Sequence, residues 1–263
     1  MPASLATRLL ALLPSFVLLA APVRAELARE DVEAAFRRGV EAMAALPEIP
    51  IFDVWPFVQA SRARREPRLV AIVEAMRARY ADDPRRRLFD PDGPFLELAE
   101  SPGEGVFRFS ESVKASFAQP EDRAIELIRE FVARDARGYV LTHQYLTFVW
   151  WEEQGRALPA DVLAHRPALL RKIAAEHAAD SRFGDLYAER VGLLLRDAPP
   201  TREVADRWIG VLLEAQSKTG EWEQEGPTPI YLEGGALPAQ HTVTHTTGLC
   251  LWGLARYLEH YGP

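Results

Sequence analysis

Two stretches of the chain share an uncommon spacing. Thr142 to Trp150 reads THQYLTFVW and Thr244 to Trp252 reads THTTGLCLW, each a Thr-His followed after six residues by Trp. The chain holds only six His and six Trp, so two of each at one spacing call for a reason. On a helix, seven residues return to within about 20° of the starting direction. His143 therefore shares a helix face with Trp150, and His245 shares one with Trp252. His241 lies one turn before His245, and rings at i and i+4 stand on the same side of a helix. If the repeat brings the two segments together, His143 joins His241 and His245, and three neutral imidazoles with an open fourth position form a catalytic zinc arrangement. Without a metal, His143 or His245 serves as a general base, with Tyr139, Tyr231 or Glu221 as its partner, in acid–base work on a sugar or a peptide. Thr246, Tyr231 and Trp222 are the candidate substrate contacts.

Each functional reading has a structural counterpart. Thr142 and Thr244 are N-cap candidates. As caps they would place each His in a first helical turn, where the dipole disfavours protonation. An imidazole there also has a purely structural use, bonding the backbone of a buried helix end. Trp150, Trp151, Trp222 and Trp252 suit core packing as well as a substrate platform. His165, His177 and His260 lie in charged stretches and read as surface residues, and Glu152 and Glu153 as solvated. Cys250, the one cysteine, sits in GLCLWGL and reads as a buried inert thiol.

Helical periodicity supplies the elements that must position these residues. In the stretch 27–46, Val32, Ala35, Phe36, Val40, Met43 and Leu46 form an amphipathic stripe. The stretch EPRLVAIVEAMRARYADD repeats the pattern with Leu69, Val70, Val73, Met76 and Tyr80. An irregular Pro- and Gly-rich segment at 87–120 has room for a short hairpin or brief strand. From 121 onward helices follow one another. Gly138, Gly155 and Gly220 act as stops, Pro120 and Thr201 stand near helix starts, and Pro167 marks a break. The Thr-His repeat belongs to a larger one: helix, Gly stop, aromatic residue, Thr-His helix. Gly138 and His143 are five residues apart, whereas Gly220 and His245 are 25 apart, which defines an insertion at 223–240 whose Gly234-Gly235 pair suits a lid. The fold class expected is all-α, built of helical hairpins.

The segment LLEAQSKTGEW places Gln216 and Trp222 around Gly220 after an apolar helix. It resembles the Gln-Trp element of the terpene cyclases, in which the Gln caps a helix end and the Trp stacks on it to tie adjacent hairpins. The resemblance covers about 120–263 and extends to the wider α/α-toroid group that includes the protein prenyltransferases and several polysaccharide lyases. It implies a complete or partial toroid of paired helices whose inner-helix ends line a central pocket. The acidic Asp-x-Asp-Asp motif of protonating cyclases and the Asp, Cys and His zinc set of the prenyltransferases are not evident, so the resemblance implies fold rather than reaction.

The first 25 residues have the layout of a secretory signal: Arg8, the apolar run LLALLPSFVLLAA, and Val23-Arg24-Ala25 as a small-x-small cleavage site. The run is too short to span a bilayer comfortably, and no other stretch is long enough. Residues 26–263 then form a single domain with a net charge of −9, once Arg8 and Arg24 leave the 31 basic and 38 acidic residues of the full chain. No basic stripe is present, which argues against nucleic acid as a partner. Taken together, the sequence points to an exported protein, periplasmic or secreted, whose His-lined pocket acts on an envelope or extracellular glycan by acid–base or metal-assisted chemistry. The alternative is a non-catalytic exported binding or scaffold protein of the same fold. Export has a direct test. Protein recovered from its host should begin at Glu26 on N-terminal sequencing, and intact Met1 on membrane-bound material would refute cleavage.

Overall fold

The computed structural model describes residues 27–97, 116, 118–223 and 239–262. The leader at 1–25, Tyr231 and most of the insertion lie outside the described residues.

The described chain is all-α apart from one very short strand pairing. Helix α1 (Arg29–Ala44) is followed by a 3-10 turn (Ile51–Asp53), α2 (Val54–Ala63), α3 (Pro67–Arg79) and a second 3-10 turn (Pro84–Leu88). The two-residue strands β1 (Leu96–Glu97) and β2 (Ala118–Gln119) pair in parallel, so they are not the two arms of a tight hairpin at this point of the 87–120 segment. Then come α4 (Glu121–Val132), α5 (Gly138–Glu153), α6 (Ala160–Leu163), α7 (Arg166–Ala179), α8 (Asp185–Asp197), α9 (Arg202–Ala215) and α10 (Ala239–Tyr261). The break expected near Pro167 falls at Ala164-His165, with Pro167 in the first turn of α7.

Burial sorts these helices into two kinds. α1 buries one stripe, Val32, Ala35, Phe36, Gly39, Val40 and Met43, and α4 likewise buries a single face. By contrast, α5 is buried almost all round from Leu141 to Trp151, and α8 from Tyr187 to Leu195. A helix apolar around its circumference belongs inside, between other helices. α10 packs on α2, α8 and α1, and α5 packs on α7, α8 and α4.

Side-chain contacts fix the direction of the inner helices. Asp185 on α8 meets His245 on α10 across a separation of 60 residues, and Gly192 meets Trp252 across the same separation. Asp53, just before α2, meets Thr244 across 191 residues, and Phe57 meets Gly248 across the same interval. Tyr139 and Thr142 on α5 meet Asp185 and Glu189 on α8 across 46 and 47. Touching residues keep a constant separation only when two helices run the same way. The N-termini of α2, α5, α8 and α10 thus face one end of the molecule. Below that end, Trp55 of α2 lies edge-on to Trp150 of α5 at 5.9 Å and to Trp252 of α10 at 5.0 Å. A Cβ on Gly192 would sit 2.3 Å from the Trp252 ring, so this glycine permits the α8–α10 approach.

The Gln-Trp element ties the end of α9 to α1. Gln216 caps the end of α9; its amide nitrogen donates to Ala35 O at 2.8 Å and Gly220 O at 2.7 Å, while Arg38 donates to its oxygen at 2.6 Å. Gly220 adopts φ +104, and any side chain there would collide with Arg38 O. Trp222 is fully buried, donates its indole N–H to Leu212 O at 2.6 Å and packs over Gly39 of α1. It is a core residue and presents no face to a substrate, so its expected substrate contact is not made. Removing a buried indole in such a setting costs about 3–5 kcal/mol. Trp222→Ala should lower the denaturant midpoint accordingly, and an unchanged midpoint would refute the hairpin-tying role.

Candidate functional site

The two Thr-His pairs converge on α8, at the end where the inner-helix N-termini lie. Neither threonine is an N-cap: α5 begins at Gly138 and α10 at Ala239, so both Thr-His pairs sit inside their helices. The reason is that each hydroxyl serves a buried carboxyl group from another element. Thr142 donates to Glu189 Oε2 at 2.8 Å, and Thr244 donates to Asp53 Oδ2 in a very short bond. The link between the two imidazole-bearing segments runs through the first two turns of α8, where Asp185 and Glu189 stand at i and i+4 on one face.

Asp185 gathers the larger group. Its carboxylate accepts from His245 Nδ1 at 2.9 and 3.0 Å, from the Tyr139 hydroxyl at 3.1 Å and from the Thr246 hydroxyl at 3.2 Å. Thr246 is fully buried and its hydroxyl is used to hold Asp185, which replaces the expected substrate contact by a positioning one. His143 Nδ1 donates to Tyr139 O at 2.9 Å and lies 3.7 Å from Glu189 Oε1. A carbonyl oxygen can only accept, so His143 carries its proton on Nδ1 and presents a lone pair at Nε2. The structural use foreseen for an imidazole, bonding nearby backbone, is therefore met at His143, and the same bond orients the ring. Among the described residues, Tyr139 meets both halves of the cluster: its hydroxyl holds Asp185 and its carbonyl holds His143.

Exposure divides the cluster by role. The His143 and His245 side chains are 15% and 26% exposed, whereas Asp185 and Glu189 are 6% and 2% exposed. The imidazoles are thus what a ligand can touch, and the carboxyl groups stand behind them. The electrostatics split each pair. Burial lowers the His143 pKa to about 3, helped by the His245 charge against the opposing backbone bond. Burial also works against a charged His245, but Asp185, by charge and hydrogen bond, with Asp53 and Glu189 beyond it, raises its pKa to about 10. Burial pushes Glu189 up to about 8, and the Asp185 charge adds to this. Asp185 moves the other way: burial alone would raise it, but the His245 charge and the bonds from His245, Tyr139 and Thr246 hold it below the usual carboxylate range. Burial and the neighbouring carboxyl groups push the Tyr139 phenol well above its ordinary value. Near neutral pH the cluster therefore holds a neutral His143, a cationic His245, an anionic Asp185 and a largely protonated Glu189.

The zinc set His143, His241 and His245 is not assembled from the described side chains. The His241 backbone belongs to α10, but its side chain lies outside the described residues, as does Tyr231. Among the described residues, no group of three or more His, Cys, Asp or Glu is placed to hold a metal ion. Asp53, Asp185 and Glu189 escape a reading of the sequence alone. Asp185 follows Gly184 and reads as an ordinary acidic helix start, and Asp53 lies in an apolar FDVWPF stretch. Glu189 is followed by Arg190, and the two read as ordinary surface charges.

Two further expectations are revised. His177 is only 4% exposed, packed between Tyr187 and Trp208 with centroid distances of 4.7 and 4.6 Å, because α7 turns this face toward α8 and α9. Glu153 is not solvated; it accepts from Trp55 Nε1 at 3.0 Å and pairs with Arg62 at 3.1 Å, joining α2 to the end of α5. Cys250 is fully buried, and burial raises its thiol pKa well above the ordinary value.

Glu189 gives a pH test. Its carboxyl titrates near 4.5 when unfolded and near 8 when folded, so its contribution to stability is fully present below the unfolded value and is lost as pH rises through the folded one. Glu189→Gln cannot ionise and keeps an oxygen for Thr142. Its stability relative to wild type should be constant below about pH 4 and should rise steadily up to about pH 9. A difference independent of pH would refute the buried acid. No protein-family model, curated protein or solved structure matches the chain, so the arrangement of these residues is what its function must be argued from.

Proposed function

We propose that the chain is an exported enzyme with an α/α-toroid architecture that performs acid–base chemistry on an envelope or extracellular glycan. The observation that carries this reading is the meeting of both Thr-His pairs on the Asp185 and Glu189 face of α8, with the two imidazoles held in opposite protonation states. Pairs of titratable groups driven apart by their surroundings are the usual basis for assigning an acid and a base. His143, with a lone pair at Nε2, is the base. His245, backed by Asp185, is the acid, and Tyr139 and Thr246 hold Asp185 in place. The parallel inner helices and the Gln216–Trp222 tie support the toroid, in which such helix ends surround a pocket. The leader supports export, and the glycan rests on the α/α-toroid resemblance.

A purely structural cluster would have no use for exposing its two imidazoles while burying every carboxyl group. The same constellation without turnover would describe the binding or scaffold protein. A panel of neutral and charged oligosaccharides, followed by mass spectrometry, separates the two. Wild type should convert at least one of them. His143→Gln and His245→Gln should each lower kcat by about 10²–10⁴-fold, the usual weight of a general acid or base, with helical circular dichroism retained. Unchanged turnover in both folded variants would refute the assignment. Elemental analysis separates the metal-assisted form, in which about one zinc per chain would be bound and lost in His245→Gln.

A further inference from the structure

The start of α5, which carries Tyr139 and His143, is anchored from outside the cluster. The first backbone N–H groups of a helix have no partner within it and need an acceptor. Arg137, the residue before α5, has a side chain of donors only and cannot serve. The acceptor comes from α7, 38 residues on: Glu176 Oε2 takes the Gly138 N–H at 3.0 Å. The same oxygen accepts from Arg190 Nη2 of α8 at 2.5 Å, and the Arg190 side chain is buried. A carboxylate in the last turn of its own helix stands against the dipole of that helix. Glu176 is in the last turn of α7, and the N-terminus of α5 and the Arg190 charge offset that cost. Next to it, His177 is wedged between Tyr187 of α8 and Trp208 of α9, which seats this turn of α7 and with it the Glu176 side chain.

One oxygen thus joins the first residue of α5 to the residue after Glu189 on α8. Its place matters to the cluster because Tyr139 directly follows Gly138. The Tyr139 carbonyl directs the His143 ring, and the Tyr139 hydroxyl reaches Asp185, which holds His245. Glu176 therefore fixes the backbone just before Tyr139, and Asp185 fixes its side chain. A helix start freed from α7 can tilt about the Tyr139–Asp185 bond, and the His143 ring, one turn further along, moves with it. On the acid–base reading above, on which this rests, we propose that Glu176 is a positioning residue of the site: by tying Gly138 to Arg190 it sets where His143 Nε2 stands relative to His245. A misplacement of about 1 Å at a reacting group can cost about 10²-fold in rate, so a strut that acts through the α5 backbone carries weight in catalysis.

The test uses variants of the full chain. Glu176→Ala combined with Arg190→Leu removes the tie without leaving a buried guanidinium unpaired. Glu176→Gln keeps an oxygen that can accept from both donors. Hydrogen exchange at the Gly138 amide reports the tie, the His143 and His245 ring signals in NMR report the cluster, and turnover of an oligosaccharide that wild type converts reports the chemistry. In the double variant the Gly138 amide should lose protection and the His143 ring signals should shift. Its kcat should fall by about 10–10²-fold with KM within about twofold. Glu176→Gln should keep the ring signals near those of wild type and recover most of kcat. A folded double variant that loses Gly138 protection yet keeps the wild-type His143 signals and kcat would overturn the proposal, because the tie would then serve stability alone. Should the double variant not fold, Glu176→Asp draws the tie back by one methylene and keeps its charge. It should shift the His143 signals, and unchanged signals would overturn the proposal equally. Wild type that converts no oligosaccharide refutes the acid–base reading, and the ring signals then decide the role of Glu176 on their own.

Discussion

The parallel alignment of α2, α5, α8 and α10 is the constraint on which the rest of the structure depends. Each helix carries roughly half a positive charge at its N-terminus, from peptide dipoles that add along the axis. With those N-termini on one side, the dipoles favour carboxylates there by about 0.3–2 kcal/mol each. Asp53 occupies the position before α2, and Asp185 is the first residue of α8. His143 lies in the second turn of α5, where burial rather than the dipole keeps it neutral. The orientation of the helices brings these groups together; burial of His143 and the Asp185 carboxylate beside His245 then set which imidazole is neutral and which is cationic.

Parallel helices cannot be joined by short turns, so the chain must return between them. α7 and α9, together with α1 at the start of the chain, lie outside the inner helices. The connection after α9 is fastened to α1 by Gln216 and Trp222, which bond and pack on it. A second fastening lies just past the end of α5. There the Arg156 guanidinium lies 3.4 Å from the Trp151 ring and 5.5 Å from Phe95, and Arg87 stacks on Phe95 at 3.4 Å. Both arginines also bond loop oxygens: Arg87 reaches Gly93 O and Arg156 reaches Ala118 O. Cation–π contacts and carbonyl bonds together let two buried cations hold an irregular segment against α5.

The legible and illegible parts of the structure separate along a physical line. Periodicity exposed the amphipathic helices because their apolar stripes, such as Val32 to Met43, report one buried face. The Thr-His-x6-Trp repeat exposed the two helices that carry the imidazoles, because equal spacing means equal helical phase. What spacing could not supply was the third helix between them. α8 has no Thr-His, so nothing in the repeat pointed to it, and its two site carboxyl groups look like ordinary helix-start and surface acids. Thr142 and Thr244 were read as local caps because a threonine near a helix start usually is one; their real partners, Glu189 and Asp53, lie 47 and 191 residues away. His177 and Glu153 differ from expectation for the same reason: tertiary contacts, not neighbours in sequence, decide their environment.

The placement of Asp185 and Glu189 on one face of α8 has a mechanical consequence. One turn of a single helix supplies the carboxyl group for the α10 imidazole and the one that holds Thr142 beside the α5 imidazole. A helix is rigid over one turn, so the two carboxyl groups move as one body. A one-residue slide with its accompanying rotation displaces both by about 1.5 Å and about 100°. α8 therefore acts like a common axle for the two halves of the cluster: an adjustment that loosens the His245 side must also disturb the His143 side. The packing of Gly192 on Trp252, two turns further along, fixes that axle against α10. The difference between the two imidazoles is therefore held by the seating of one helix and is not set separately at each ring.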